Sequence, residues 1–370
     1  MMKLQKKKWL WIIVLILSIV VVLGVCGALY FSWLMKQPLY TVGDVSAEKN
    51  LRSPLQPPDQ VGITIANEWL VEQDVKLAFD QYGSGEPVLV IHGGPGIPYP
   101  KLWKGLENLT DQHKFYLYDQ RGAGRSTRLF DRFEDNFYNN MIQLEQAYGL
   151  GAQVADIERI RRILGKENLN IIGHSYGGFI ATLYAAEFPD RVNRLILVAP
   201  ADVLVPFEEK NEDLFTFTQE RLNTQNKDKF KLLMREYFDF QNIFTKSDQQ
   251  LANLHVETGK YLLRGMDYDP SIMDNMPASG GWSVFAVYFS SGQSGDFRPA
   301  LKKVKAKTLI VHGRDDLMAL RGSQSYQGIK DSQFVFIERE KDEGIAGHFV
   351  YDDNPTAFEA VVGKFLDDPN

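Results

Sequence analysis

Gly173-His174-Ser175-Tyr176-Gly177 lies between two apolar runs, Leu169-Asn-Ile-Ile172 before it and Phe179-Ile-Ala-Thr-Leu-Tyr-Ala-Ala186 after it. The first has the length of a buried strand, and the second reads as a helix packed on a sheet. A G-x-S-x-G between strand and helix predicts a nucleophile elbow, a turn too tight for side chains two residues before and two after the serine. Such a turn lifts the Ser175 hydroxyl to the top of a sheet. It also aims the next backbone N–H, that of Tyr176, at a reacting carbonyl.

Further strands appear on both sides of this unit. Val75-Lys-Leu-Ala-Phe-Asp-Gln-Tyr82 alternates like a half-exposed strand, and Val88-Leu-Val-Ile91 is a continuous apolar run, as in a strand covered on both faces. Lys114–Asp119, Arg194–Ala199, Thr308–Val311 and Phe334–Ile337 complete the set, with helices expected over 152–164 and near 354–366. Strands alternating with helices predict an α/β fold, a mostly parallel sheet flanked by helices. Its core is expected over 61–200 and 300–370.

The interval 201–299 interrupts that pattern. Phe230, Leu233, Met234, Tyr237 and Phe238 fall on one helical face. Ser247 and Gln250 have the spacing of a capping box. A helical cap inserted between two strands is expected here. Its aromatic residues suit the roof of a pocket, although each could equally fill the cap's own core.

At the other end, Lys3, Lys6, Lys7 and Lys8 precede a charge-free stretch from Trp9 to Met35. As a helix, 27 residues reach about 40 Å, more than the roughly 30 Å of a bilayer's hydrocarbon. A core helix would show an amphipathic face, which this stretch lacks. A cleaved signal peptide competes, with small residues at Gly24, Gly27 and Ala28, but the apolar run exceeds the usual length. A transmembrane signal-anchor over 9–35 is therefore expected. The lysines would keep residues 1–8 cytoplasmic and place the rest of the chain outside the cell membrane. Residues 36–60, with Pro38, Pro54, Pro57 and Pro58, read as a stalk.

The formal net charge is −6; setting aside the four leading lysines leaves −10 for a remainder that contains every acidic residue. Such a domain is a poor partner for nucleic acid. The single cysteine, Cys26, lies in the apolar run and gives no disulfide framework, metal cluster or thiol nucleophile.

Three more motifs complement the elbow. His92-Gly-Gly-Pro-Gly96 follows a buried strand, and a glycine loop there brings backbone N–H groups close to a ligand. Gly94 is the expected second oxyanion donor beside Tyr176. His312-Gly-Arg-Asp315-Asp316 ends a strand after the insertion, where a carboxylate can orient an imidazole. Asp316 suits that role better than Asp315, because the second position carries the side chain beyond the turn. Gly347-His348 follows the last strand, giving the order Ser175, Asp316, His348. Among the other histidines, His92 and His312 are expected to support loops. His174 is the variable residue of the elbow, and His113 and His255 have no evident chemical neighbours.

His92-Gly-Gly-Pro-Gly96, Asp119-Gln-Arg-Gly-Ala-Gly-Arg-Ser126, Val154-Ala-Asp-Ile-Glu-Arg159 and the elbow together resemble the prolyl iminopeptidase family of α/β-hydrolases. The resemblance covers about 75–200 and 305–365 and leaves the cap unmatched. It implies a Ser175–Asp316–His348 triad and removal of N-terminal residues from short peptides, with no cofactor. Two departures stand out. The family commonly has Gly-Gly-Ser-Trp-Gly at the elbow, and it binds the substrate's amine with cap carboxylates, one in a Trp-Glu pair. The nearest counterpart here, Trp282-Ser-Val-Phe-Ala286, has no carboxylate in that place, leaving Glu208, Glu209, Glu236 and Glu257 as candidates. A hydrolase of a small ester, lactone or thioester is the alternative. A non-catalytic binding protein on the same fold fits a complete triad poorly. The expected substrate is a small molecule or short peptide, and nothing in these motifs bears on oligomeric state.

Overall fold

The computed structural model describes residues 2–34, 36–60, 67–202, 213–292, 294–317, 324–339 and 344–368. Eight strands form one sheet: β1 (Glu68–Glu72), β2 (Val75–Gly83), β3 (Glu86–Ile91), β4 (His113–Tyr118), β5 (Leu169–His174), β6 (Val192–Val198), β7 (Lys307–Gly313) and β8 (Ser332–Ile337). Their order is β1-β2-β4-β3-β5-β6-β7-β8. β1 and β2 pair antiparallel, as do β2 and β4, and every later pairing is parallel.

The apolar runs fill both faces. In β3, Val88 and Val90 face Phe358 and Val362 of the C-terminal helix Pro355–Asp367. Leu89 and Ile91 face the opposite side, with Ile157 of α3 (Leu150–Ile163) and Phe179 of α4 (Tyr176–Glu187). Side chains alternate across a strand, so a strand covered twice needs apolar residues throughout. From β3 the chain turns to β4 on one side and later to β5 on the other. The crevice beyond the carboxyl ends of β3 and β5 is thus the switch point where open α/β sheets bind ligands.

The insertion supplies α5 (Leu214–Arg221), α6 (Thr224–Tyr237) and α7 (Asp248–Gly265). Both halves of the capping box form at Ser247 and Gln250. The next helix, α8 (Trp282–Ser291), lies inside the expected cap interval yet packs on α3 and on α2 (Phe137–Tyr148) of the core. Tyr237, Leu251, Trp282 and Phe285 join Leu144 and Tyr148 in one apolar cluster between cap and core. Core filling therefore accounts for Tyr237, and Phe230 is buried as well.

At the N-terminus, α1 spans Met2–Leu34. Its segment Trp11–Leu34 is long and apolar enough to cross a membrane and none of it is buried in the protein, a pattern that signal sequences share. The residues expected as a stalk behave differently. Tyr40, Val45 and Leu55 are buried in the main core. Glu187, at the end of α4, accepts hydrogen bonds from the Tyr40 hydroxyl (2.9 Å) and from the N–H groups of Gly43 (2.7 Å), Val45 (3.4 Å) and Ser46 (3.1 Å). The prolines break helix and strand here. A few apolar residues and one buried carboxylate nonetheless dock the segment as an arm.

Candidate active site

β5 delivers the chain to Ser175 at φ 52° and ψ −122°, a left-handed conformation that costs a non-glycine residue about 1–3 kcal/mol. The surroundings hold it there. The Ser175 N–H donates to the Val198 carbonyl at 2.9 Å, and the Ser175 carbonyl accepts from Gly178 (2.9 Å) and Ala201 (3.0 Å). The flanking glycines are required by close approach: a Cβ at Gly173 would collide with the Gly177 carbonyl, and one at Gly177 with the Ile91 carbonyl. The Tyr176 hydroxyl donates to Gln153 in the core at 3.0 Å, which turns its side chain away from the crevice. Its backbone N–H, at the first position of α4, has no acceptor within the helix.

The glycine loop after β3 lies directly against the elbow, where a Cβ on Gly93 would stand 2.9 Å from the Ser175 Cβ. The Gly93 N–H donates to the Tyr99 hydroxyl at 3.1 Å, which leaves Gly94, at φ 114°, as the next N–H in the loop. The cap fixes the same loop from above. The Pro95 carbonyl lies 3.0 Å from His255 Nε2, and the Gly96 carbonyl accepts from the Gly280 N–H at 2.8 Å. Burial pulls His255 down to about 4, so its ring is neutral. A carbonyl only accepts, so Nε2 carries the proton and Nδ1 accepts a hydrogen bond from the Tyr237 hydroxyl at 2.9 Å. His92 is also held neutral by burial, near 4, and its Nε2 accepts the Gln120 N–H at 3.0 Å.

Beyond β7, the two adjacent aspartates separate. Asp316 is buried, with Oδ2 3.1 Å from His348 Nδ1. Burial alone would raise its carboxyl, but His348 and His312 outweigh burial and hold it well below the usual carboxylate range. His312 Nδ1 stands 3.8 Å away, beyond hydrogen-bonding distance. Asp315 instead pairs with Arg339 at 2.6 Å and accepts the Ala346 N–H at 3.0 Å, pinning the loop that carries His348. That loop is held on its far side too. The Gly347 N–H donates to Asp353 (2.9 Å) and the Phe349 N–H to the Tyr268 hydroxyl (3.1 Å), which itself donates to Asp353.

His174 bonds to both sides of the crevice. Its Nδ1 meets the Tyr99 hydroxyl, and its Nε2 lies 2.9 Å from the His348 carbonyl. Burial, reinforced by the neighbouring His348, pushes its pKa well below the ordinary value. The neutral ring must then donate from Nε2 and accept at Nδ1. One directed chain results, from Gly93 N–H to Tyr99 to His174 to the His348 carbonyl. The variable position of the elbow thus ties the glycine loop after β3 to the loop that carries His348. Tyr99, His174, His255 and Tyr268 carry no motif signal, because each acts through a partner remote in sequence.

The DQRG loop and the helix motif also meet. Arg121, fully buried, donates to Asp156 (2.6 Å) and Glu72 (2.8 Å), and Arg159 donates to Glu72 (3.0 Å). Burial opposes ionisation of Glu72, but the arginines prevail and lower its pKa to about 2.

A family model described as the alpha/beta hydrolase fold matches residues 86–355. The chain belongs to the α/β-hydrolase family. A proline iminopeptidase of Heyndrickxia coagulans is 26% identical over 301 residues, 78% of this chain and 93% of the relative. A 2-hydroxymuconate semialdehyde hydrolase of Pseudomonas sp. strain CF600 is also 26% identical, over 80% of this chain and 92% of the relative. Similarity to a proline iminopeptidase of Xylella fastidiosa reaches 34% over 129 residues, 34% of this chain and 37% of that protein. Among solved structures, a thermophilic esterase from Thermogutta terrifontis shares the fold, with a TM-score of 0.54 at 20% identity over 79% of this chain and 93% of the esterase.

Proposed function

We propose that this α/β-hydrolase is a membrane-anchored serine hydrolase, with α1 retained in the cell membrane, its N-terminus cytoplasmic and the catalytic domain outside. The observation that carries the chemistry is the strained Ser175 elbow, whose His174 ring lies 4.7 Å from that of His348, with His348 Nδ1 facing a buried carboxylate at 3.1 Å. Asp316 fixes the proton on His348 Nδ1 and leaves Nε2 as the base. Ser175 Oγ attacks the acyl carbon as His348 takes its proton, and the N–H groups of Tyr176 and Gly94 receive the oxyanion. His348 protonates the leaving group, then activates the water that releases the acyl-enzyme.

The substrate reading that follows from near full-length similarity and from the motifs at 92–96 and 119–126 is an aminopeptidase releasing N-terminal residues, proline among them, from short peptides. One observation favours a second reading, a carboxylic-ester hydrolase. Glu236 and Glu257 are exposed, with Glu257 near Lys260 at 3.1 Å, while the buried Asp248 accepts from Arg128 and from the Trp282 N–H at 2.7 Å. These three cap carboxylates are thus directed elsewhere than to a substrate amine; Glu208 and Glu209 lie outside the described residues.

Full-length protein in detergent, with Ser175→Ala as control, separates the readings on a prolyl chromogenic amide, its N-blocked form and a short acyl ester. Serine-dependent cleavage of the free amide alone supports the aminopeptidase. Ester cleavage with both amides intact replaces it by the esterase, and activity retained in Ser175→Ala removes both.

A further inference from the structure

Residues 36–60 tie the end of α1 to one end of the domain. α1 ends at Leu34, and the Lys36 carbonyl already accepts from the N–H (3.1 Å) and hydroxyl (2.7 Å) of Ser294. Two residues reach at most about 7 Å, so the clamp sits where the membrane helix ends. The next attachments follow at once. The Leu39 N–H donates to the Ser290 carbonyl at 2.9 Å, Tyr40 stacks on Phe297, and Lys303 donates to the Val42 carbonyl at 3.3 Å.

Three elements run between this attachment and the crevice. α4 starts just after Ser175 and ends at Glu187, which binds the arm; its 12 residues span about 18 Å. α8 starts beside Gly280, which binds the glycine loop, and ends at Ser291 beside the Lys36 clamp, about 15 Å along. β7 starts at Lys307, just past the arm-binding residues 297–303, and ends at Gly313, three residues before Asp316, about 20 Å along. Each element has its arm at one end and the crevice at the other.

We propose that the face formed by the arm and by the C-terminal ends of α4 and α8 seats on the bilayer surface. The crevice then opens on the opposite face and takes a water-soluble acyl compound from the aqueous phase, not a lipid from the membrane. This rests on α1 being the retained anchor of the proposed function.

The test uses the full chain in phosphatidylcholine vesicles carrying a headgroup nitroxide quencher, in a Cys26→Ser background. A dye is attached at Lys36→Cys or at Lys101→Cys, an exposed residue five beyond the glycine loop. The expected result is strong quenching at position 36 and little at position 101. Equal quenching at both positions places the crevice at the membrane and overturns the proposal. Quenching at neither shows that α1 is not in the bilayer and withdraws the anchor, and the proposal with it. A kinetic arm reads the consequence directly: vesicle-bound chain should hydrolyse a soluble prolyl amide or a short soluble ester in preference to a long-chain ester dissolved in the same bilayer. The reverse preference overturns the proposal while leaving the serine chemistry in place.

Discussion

The two ends of α4 are built on opposite rules. At its first residue the chain leaves Ser175 in a strained conformation and presents the Tyr176 N–H without a helical acceptor. At its last residue Glu187 accepts from four donors and closes the arm onto the core. The Ser175 end keeps hydrogen-bonding capacity, which the proposed chemistry would use for a transition state, whereas the docking end satisfies its groups within the protein. One helix can serve both ends because the packed sheet between them fixes its position.

The contrast can be tested from either end. The largest effect is expected from Asp316→Asn, which leaves the fold intact but reverses the preferred His348 tautomer; kcat should fall by about 10⁴-fold with little change in thermal unfolding. A loss of less than tenfold would show that the carboxylate does not orient the base. Glu187→Ala acts at the other end. Four donors lose one acceptor, at about 1 kcal/mol each, so urea denaturation should show about 4 kcal/mol less stability and kcat should be unchanged. A matching fall in kcat would mean that the two ends are not separable.

Glu145 sharpens the picture of the docking end. Its carboxyl lies near Tyr40 and Val45, takes a hydrogen bond from Ser290, and is raised by burial to about 7. Between its unfolded value, about 4.5, and 7, the folded chain keeps a proton that the unfolded chain releases, so stability falls as pH rises through that window. Glu145→Gln keeps the acceptor and removes the titration. It should match the parent at pH 4 and exceed it by about 3 kcal/mol at pH 8, because each tenfold difference in proton affinity between the folded and unfolded chain is worth about 1.4 kcal/mol. Parallel stability curves across that range would remove the assignment. The smallest effect is expected from His174→Ala, which interrupts the chain from Gly93 to His348. kcat should drop about tenfold, one neutral hydrogen bond's worth, with KM unchanged. A change in KM alone would make His174 part of the substrate pocket instead.

The sequence was most legible where backbone geometry dictates residue type. The elbow glycines, the apolar runs of β3 and β5 and the capping box at Ser247 each solve a local steric or hydrogen-bonding problem, so their spacing is visible in the chain. β1 carries no such signal, because Glu68-Trp-Leu-Val-Glu72 is short and ends in a carboxylate that three arginines remote in sequence neutralise. The docking of the segment expected as a stalk is illegible for the same reason: Tyr40 and Glu187 are 147 residues apart, and neither signals the other. His113 and His255 have no neighbours in the chain to mark them, yet His113 meets Asp367 at 3.1 Å and His255 reaches Pro95. Residues that work through long-range partners leave no periodic trace.

The two bonds from the cap to the glycine loop, His255 to Pro95 and Gly280 to Gly96, also set a population. A cap that lifted would break both and hand two carbonyls back to water, at about 1 kcal/mol net for each bond. About 2 kcal/mol from these bonds, added to the apolar cluster between cap and core, keeps such an open form below a few per cent of molecules. In the proposed chemistry, the loop that would receive the oxyanion is therefore braced by its roof in nearly every copy of the protein.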